Sequence, residues 1–170
     1  ANRPYFNARK NLERQHPVLI EEYALLPDSC GAGKWRGGLG IVRSYRLLAD
    51  SANLQLRADR VRFRPYGLSG GSPGRATRNR LISGGEPRDL PGKVTMAIAR
   101  GQVVHHEQAG GGGYGDPLER DPQLVARDVW NQKITSDFAL AHHKVVVDRH
   151  SGILDLEATR RLREQSALAM

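Results

Sequence analysis

The sequence predicts an α+β fold, with a glycine-rich antiparallel β region over about residues 17–107 followed by short helices and one further strand over about 121–168. Before residue 116, short apolar runs are separated by glycine and proline, as in strands joined by turns. After it, helical spacing appears together with residues that cap helices. No internal repeat and no domain-scale linker interrupts the chain, so residues 1–170 read as a single domain.

Four runs read as strands: PVLIEEYALL (17–26), LGIVRSYRLL (39–48), ANLQLRADRVRF (52–63) and KVTMAIARGQVVHHE (93–107). In the second, Leu39, Ile41, Tyr45 and Leu47 share one side at period two, with Arg43 interrupting them. In the third, Leu54, Leu56 and Ala58 are in phase but Val61 and Phe63 are not, which predicts a bulge near Asp59 and Arg60. In the fourth, Val94, Met96 and Ile98 alternate, and Arg100-Gly101-Gln102 ahead of Val103 and Val104 predicts a hairpin.

The helices announce themselves through their caps. Asp121 before Pro122 is an N-cap followed by a proline at the first helical position, and Val125 and Val129 follow four residues apart. Thr135 or Ser136 can cap a second short helix through Phe138 and Ala141. KVVVD (144–148) reads as a strand, and His150-Ser151-Gly152 as a turn. Asp155 can cap a last helix with Ala158 and Leu162 on one face.

Composition limits the function classes. With 39% hydrophobic and 6% aromatic residues the core is aliphatic and thin, of a kind that a partner could complete. The single cysteine, Cys30, excludes an internal disulfide and a cysteine zinc site, which favours a reducing compartment. No apolar run reaches membrane-spanning length, and ANRPYFNARK lacks the apolar stretch of a signal peptide, so a cytoplasmic location without a membrane is expected.

The net charge of +8 is unevenly spread: residues 1–100 hold 18 Lys/Arg against 8 Asp/Glu, and residues 101–170 hold 8 against 10. Its densest part contains Arg57, Arg60, Arg62, Arg64, Arg75, Arg78 and Arg80 with Asp59 as the single acid. Such a cluster is a basic partner surface for phosphates, nucleic acid or an acidic protein partner, or else a solvated face. No zinc-finger spacing, RNP-like strand or recognition helix accompanies it, which disfavours nucleic acid.

Two glycine-rich stretches imitate nucleotide sites and fail on position. Gly110, Gly112 and Gly115 satisfy G-x-G-x-x-G, but the helix cap falls at Asp121 rather than at the glycines, so no helix N-terminus meets a pyrophosphate. SCGAGKWRGGLG has Asp28 where a P-loop requires its first glycine and Trp35 where it requires Ser or Thr. His105-His106 point to opposite faces of a strand and His142-His143 diverge on a helix, so they read as satisfied or exposed histidines and no metal site is assigned.

Taken in order, PDSCGAGKWRGGLGIVRSYRLL, ADRVRFRPYGLSGGSPG, LPGKVTMAIARGQVV, AGGGGYGDPLERDPQLVARDV and KVVVD resemble the C-terminal part of the hydantoinase B/oxoprolinase family. The resemblance runs from about residue 17 to residue 165. It departs at Cys30, where glycine is usual, at Tyr66, at Gln102 and at His142-His143.

The resemblance implies a small subunit or C-terminal fragment of an ATP-dependent complex acting on a cyclic amide, or of a related ATP-dependent ketone carboxylase of the acetone or acetophenone type. A non-catalytic interaction or nucleic-acid module working through Arg57 to Arg80 is the remaining alternative. The implied partners are a hydantoinase A-type ATP-binding subunit and the upstream B-type region on a separate chain. ATP, Mg and a further divalent metal are implied there, with no cofactor on this chain, which is not expected to catalyse alone.

The candidate substrate or interface residues are Gly110, Gly111, Gly112, Gly113, Tyr114, Gly115 and Asp116. Consecutive glycines permit positive φ and close backbone approach, so the run can pass tightly under another segment with Tyr114 packed there. Alternatively, its N–H groups line a cavity that receives a carboxylate or a phosphorylated intermediate.

Overall fold

The computed structural model describes residues 11–149 and 151–168. The described chain forms two compact units and alternates between them: one gathers residues 11–24, 41–62 and 77–108, the other gathers 25–40, 63–76 and the described residues from 109 onward.

The first unit is built from antiparallel strands. β1 (Val18–Leu26), β2 (Gly40–Leu47), β4 (Arg78–Ser83), β5 (Glu86–Leu90) and β7 (Val103–Glu107) form one sheet in the order β1-β2-β7-β4-β5. β3 (Ser51–Arg57) and β6 (Lys93–Ala99) form a two-stranded ribbon in which Ala52, Leu54 and Leu56 stand opposite Ile98, Met96 and Val94. These side chains alternate along each strand and so occupy one face of the ribbon. Ala52, Leu54, Leu56, Met96 and Ile98 among them pack with Leu47, Leu81, Leu90 and Val104 of the sheet to make the core of this unit.

Three expectations need correction here. β3 stops at Arg57, where Ala58 N–H donates to Gly92 O at 2.7 Å, and Arg60 takes a left-handed φ of 62°. The change of phase after Ala58 therefore marks the end of the strand, not a bulge. The turn at Arg100-Gly101-Gln102 exists, with Gly101 at φ 83°, but the strands on either side of it do not pair. β6 pairs with β3, and β7 pairs with β2 and β4, so the turn carries the chain from the ribbon to the sheet. Third, β4 and β5 were not expected as strands; they join through Gly84 and Gly85, both at positive φ, as a two-residue hairpin turn requires. On β2 the most deeply buried set is Val42, Ser44 and Leu47, while Ile41, Arg43 and Tyr45 are half-buried.

The second unit holds three α-helices and the glycine segments. Asp121 caps α1 (Pro122–Trp130) by accepting from Gln123 N–H at 2.9 Å, with Pro122 at its start. Thr135 caps α2 (Ser136–His143) by accepting from Phe138 N–H at 3.1 Å. Asp155 accepts from Ala158 N–H at 2.9 Å at the start of α3 (Leu156–Leu168). The strand expected over 144–148 is only β8 (Val146–Val147), paired with β9 (Leu154–Asp155). His150 of the expected turn lies outside the described residues; Gly152 takes φ 70°. Ala158 and Leu162 do share the covered face of α3, together with the buried Thr159. Cys30, Val125, Ala126, Ile134, Ala139, Val145 and Val147 form the core of this unit.

Candidate functional site

Segments 29–38, 66–74 and 110–115 lie backbone against backbone in the second unit. Gly31 N–H donates to Gly111 O (2.7 Å), Gly111 N–H to Gly38 O (2.8 Å), Leu68 N–H to Gly113 O (2.9 Å) and Gly113 N–H to Ser72 O (2.9 Å). Ser72 also donates its N–H to Ala32 O at 2.8 Å and accepts from Ala32 N–H at its hydroxyl, 2.7 Å away. No side chain fits between main chains this close. A Cβ added to Gly110 would collide with Ser29 O, one on Gly112 with Tyr66 O, and one on Gly113 with Ala32 O.

This weave answers what the glycine run is for. Gly110 to Gly113 all avoid the left-handed region, and only Gly115, at φ 76°, uses it. Glycine is required by close approach rather than by φ. The N–H groups of Gly110, Gly111, Gly113, Tyr114 and Gly115 donate to Arg75 O, Gly38 O, Ser72 O, Trp35 O and Leu68 O, so these donors are engaged within the unit. Tyr114 does not pack under a neighbouring segment; its ring is 53% exposed. Asp116 caps a 3-10 turn, Pro117–Glu119, by accepting from Leu118 N–H at 2.8 Å.

Beside the weave sits a buried charged knot. Asp128, on the inward side of α1, accepts from Arg36 Nε at 2.7 Å, Arg36 Nη2 at 3.2 Å and Arg120 Nη2 at 2.9 Å. Burial pushes its carboxyl up, but the hydrogen bond and charge of Arg36, joined by Arg120, outweigh burial and hold it below its ordinary value. Arg120 Nη1 donates to Lys34 O, and Arg163 of α3 donates to His143 O and Arg120 O. One carboxylate thus ties the 29–38 segment to the helices.

His143, fully buried at the end of α2, donates from Nδ1 to Pro117 O at 3.0 Å, while its buried Nε2 has no hydrogen-bond partner among the described residues. Burial pushes this imidazole below its ordinary value, as do the charges of Arg120, His142 and Arg163, against the opposing pull of the Pro117 carbonyl. Burial lowers His106 and His142 as well. A histidine held neutral in the fold but protonated in the unfolded chain below about pH 6.5 stabilises the fold above that pH, and the contribution is lost on acidification. The melting temperature is therefore expected to fall between about pH 7.5 and 5.5. His143→Asn keeps a donor for Pro117 O and should show a shallower fall; equal slopes for the two proteins would refute the assignment.

The first unit carries a polar chain on one sheet face. The Ser44 hydroxyl lies 2.8 Å from His105 Nδ1, and His105 Nε2 lies 3.2 Å from Glu107 Oε1, which also pairs with Arg80. With Nε2–H donating to Glu107, Nδ1 accepts from Ser44. The order serine, imidazole, carboxylate imitates a nucleophile with its base. Ser44 is only 5% exposed, however, and its hydroxyl also lies 3.3 Å from Glu22, so the chain is a closed structural network. His106, on the opposite face, donates from Nδ1 to Asn79 Oδ1 at 2.6 Å.

The arginines of the basic cluster divide between the units. Arg57, Arg60, Arg62, Arg78 and Arg80 belong to the first; Arg64 and Arg75 belong to the second. Arg78 pairs with Asp89 at 3.1 Å, Arg80 with Glu107, and Arg64 donates to Gly74 O and Pro73 O. Arg64 and Arg75 also line a cavity of about 360 Å³ in the second unit with Asp28, Cys30, Ser72 and His142. Burial pushes the Cys30 thiol up, as suits an unreactive cysteine. Among the described residues, no group of three or more His, Cys, Asp or Glu side chains could hold a metal ion, and no helix is long and apolar enough to cross a membrane.

Asp128 and Ser44 were not singled out in the sequence. Asp128 stands three residues after Val125 on an otherwise apolar helix side, and Ser44 stands in phase with Val42 on a strand. A polar residue in phase with a core residue was the available signal.

The hydantoinase B/oxoprolinase family model matches residues 11–117. The B component of a putative D-/L-hydantoinase of Pseudomonas sp. is 33% identical over 94% of this chain and 28% of its own length. The acetophenone carboxylase delta subunit of Aromatoleum aromaticum is 29% identical over 91% and 27% respectively. The crystal structure of the ATP-dependent caprolactamase from Pseudomonas jessenii matches with a TM-score of 0.79 at 31% identity, covering 92% of this chain and 28% of that one. The chain thus spans little more than a quarter of the length of these relatives. A family model that covers more than half of the chain, and a fold shared with the caprolactamase along nearly all of it, establish that this chain belongs to the hydantoinase B/oxoprolinase family.

Proposed function

We propose that the chain is the glycine-weave portion of an ATP-dependent amidohydrolase complex that opens a cyclic amide. The observation that carries this is its likeness to the ATP-dependent caprolactamase at 31% identity over 92% of the chain, with a TM-score of 0.79. The hydantoinase relative supports the same substrate class. In this reading ATP and magnesium are held by a hydantoinase A-type partner, and B-type residues outside this chain hold a further divalent metal, in a cytoplasmic assembly. ATP supplies the phosphoryl group that activates the amide. The chain's own contribution is structural, since its knot and weave fix three segments rigidly. The acetophenone carboxylase relative favours a second reading, in which the activated substrate is a ketone that becomes carboxylated.

The isolated polypeptide is expected to show no ATPase and no hydrolysis of hydantoins, oxoproline or lactams. Combined with an A-type partner and the remaining B-type region, it is expected to support ATP hydrolysis stimulated by a cyclic amide. Stimulation by a ketone with bicarbonate instead would select the carboxylase reading. Robust turnover by the isolated chain, contaminants excluded, would sink both.

A further inference from the structure

Trp35, Tyr114 and Leu68 come from three different segments and stand side by side on one rung of the weave. Trp35 and Tyr114 form an antiparallel bridge with reciprocal N–H to O bonds of 2.9 Å. Leu68 and Tyr114 form a parallel bridge through Leu68 N–H to Gly113 O at 2.9 Å and Gly115 N–H to Leu68 O at 3.0 Å. Bridged partners project to the same face, so indole, phenol and leucine make one row. With neighbouring strands about 4.8 Å apart, the row is about 10 Å wide. All three side chains are more than half exposed: 61% for Trp35, 53% for Tyr114 and 56% for Leu68.

We infer that this row is the docking surface for the remainder of a B-type polypeptide, the region that its relatives carry outside the part matched by this chain. The inference rests on the proposed assembly. This chain matches 28% of the caprolactamase chain, so most of that polypeptide lies beyond the match and is available to cover the row. A contiguous exposed apolar row is the usual mark of an interface. Aromatic anchors on a backbone already locked by glycine packing lose little freedom on binding. The occupant must bring an apolar face of similar width, with acceptors for the Trp35 indole N–H and the Tyr114 hydroxyl.

The test uses the part of the matched caprolactamase chain that lies outside the match, co-expressed with this chain. Leu68→Cys supplies the only accessible thiol, since Cys30 is buried. The expected result is co-elution, rapid maleimide labelling of the isolated Leu68→Cys chain, and strong protection in the complex. Trp35→Ser with Leu68→Ser should weaken the complex by about thirtyfold or more, the loss usual for a truncated hot spot, and leave the melting temperature of the isolated chain unchanged. A complex that forms with labelling unprotected overturns the surface and leaves the proposed function standing. Slow labelling of an isolated chain that sediments as a dimer makes a second copy the occupant and also overturns it. Should the caprolactamase part not fold alone, this chain is fused in place of the matched region of the intact caprolactamase chain. If that fusion also shows no protection and no folded product, the proposed assembly falls with the surface.

Discussion

Gly112→Val is expected to abolish the folded second unit. The new Cβ would overlap the Tyr66 carbonyl and come within 3.0 Å of the Gly67 nitrogen, both of them main-chain atoms without a rotamer to change. Relief requires the 66–74 and 110–115 segments to part, which breaks the bonds Leu68 and Gly113 make across them. Overpacking of a tight site costs about 1–3 kcal/mol, and a backbone clash belongs at or above the top of that range, so about 3 kcal/mol or more is expected. Gly38→Ala is the internal control, because among the described residues nothing lies within 4 Å of the Cβ it would add. Its effect should stay within about 0.5 kcal/mol. Gly152→Ala falls between: its φ is 70° and the new Cβ would sit 3.0 Å from the exposed Trp130 ring, for a cost of about 1 kcal/mol. Thermal melting of the three variants ranks them. A Gly112→Val protein that melts with the wild type would show that the segments are a tether and not a weave.

Asp128→Asn is expected to have a comparable effect through charge. It leaves the Arg36 and Arg120 guanidinium groups, both largely buried, facing a neutral amide. Removing one partner of a buried ion pair costs about 3–5 kcal/mol because the other charge remains desolvated. Replacing Asp128, Arg36 and Arg120 together by apolar residues of similar volume should be less damaging than the single change. The depressed carboxyl also sets an acid limit. Its contribution is complete above the unfolded value of about 3.9 and is lost as pH falls through the lower folded value. The variant should therefore show less loss of stability than wild type under those conditions. Chemical denaturation at neutral and acid pH measures both effects, and a triple variant less stable than Asp128→Asn would show that packing, not charge, dominates the knot.

What could be read in the sequence was local. Asp121-Pro122, Thr135 and Asp155 cap the helices they were expected to cap, because a cap is decided by a side chain and an N–H two or three residues away. The hairpin expected over 93–107 failed because pairing is decided by partners far along the chain: β6 finds β3, and β7 finds β2 and β4. The β4–β5 hairpin was legible in Gly84-Gly85, but alternating Arg78 and Arg80 read as charge before they read as a strand. The glycine run was correctly a place of close approach, yet which backbones it approaches follows from segments about 40 and 80 residues earlier. Arg36 and Asp128 are 92 residues apart, and no local pattern connects them.

The alternation of the chain between its two units has a consequence for the order in which the molecule can be made. The weave needs strands of backbone from 29–38, 66–74 and 110–115, so its last third leaves the ribosome only after the whole of the sheet and ribbon has been synthesised. At about 5–20 residues per second, the first two segments wait several seconds without their glycine-rich neighbour. Such late, non-local closure slows folding and leaves hydrogen-bonding edges open in the meantime. Packing by bare backbone also offers little apolar surface to drive early collapse. The weave can close only once Gly110 to Gly115 reach segments already waiting for them, and the helices that supply most of the second unit's apolar core emerge later still.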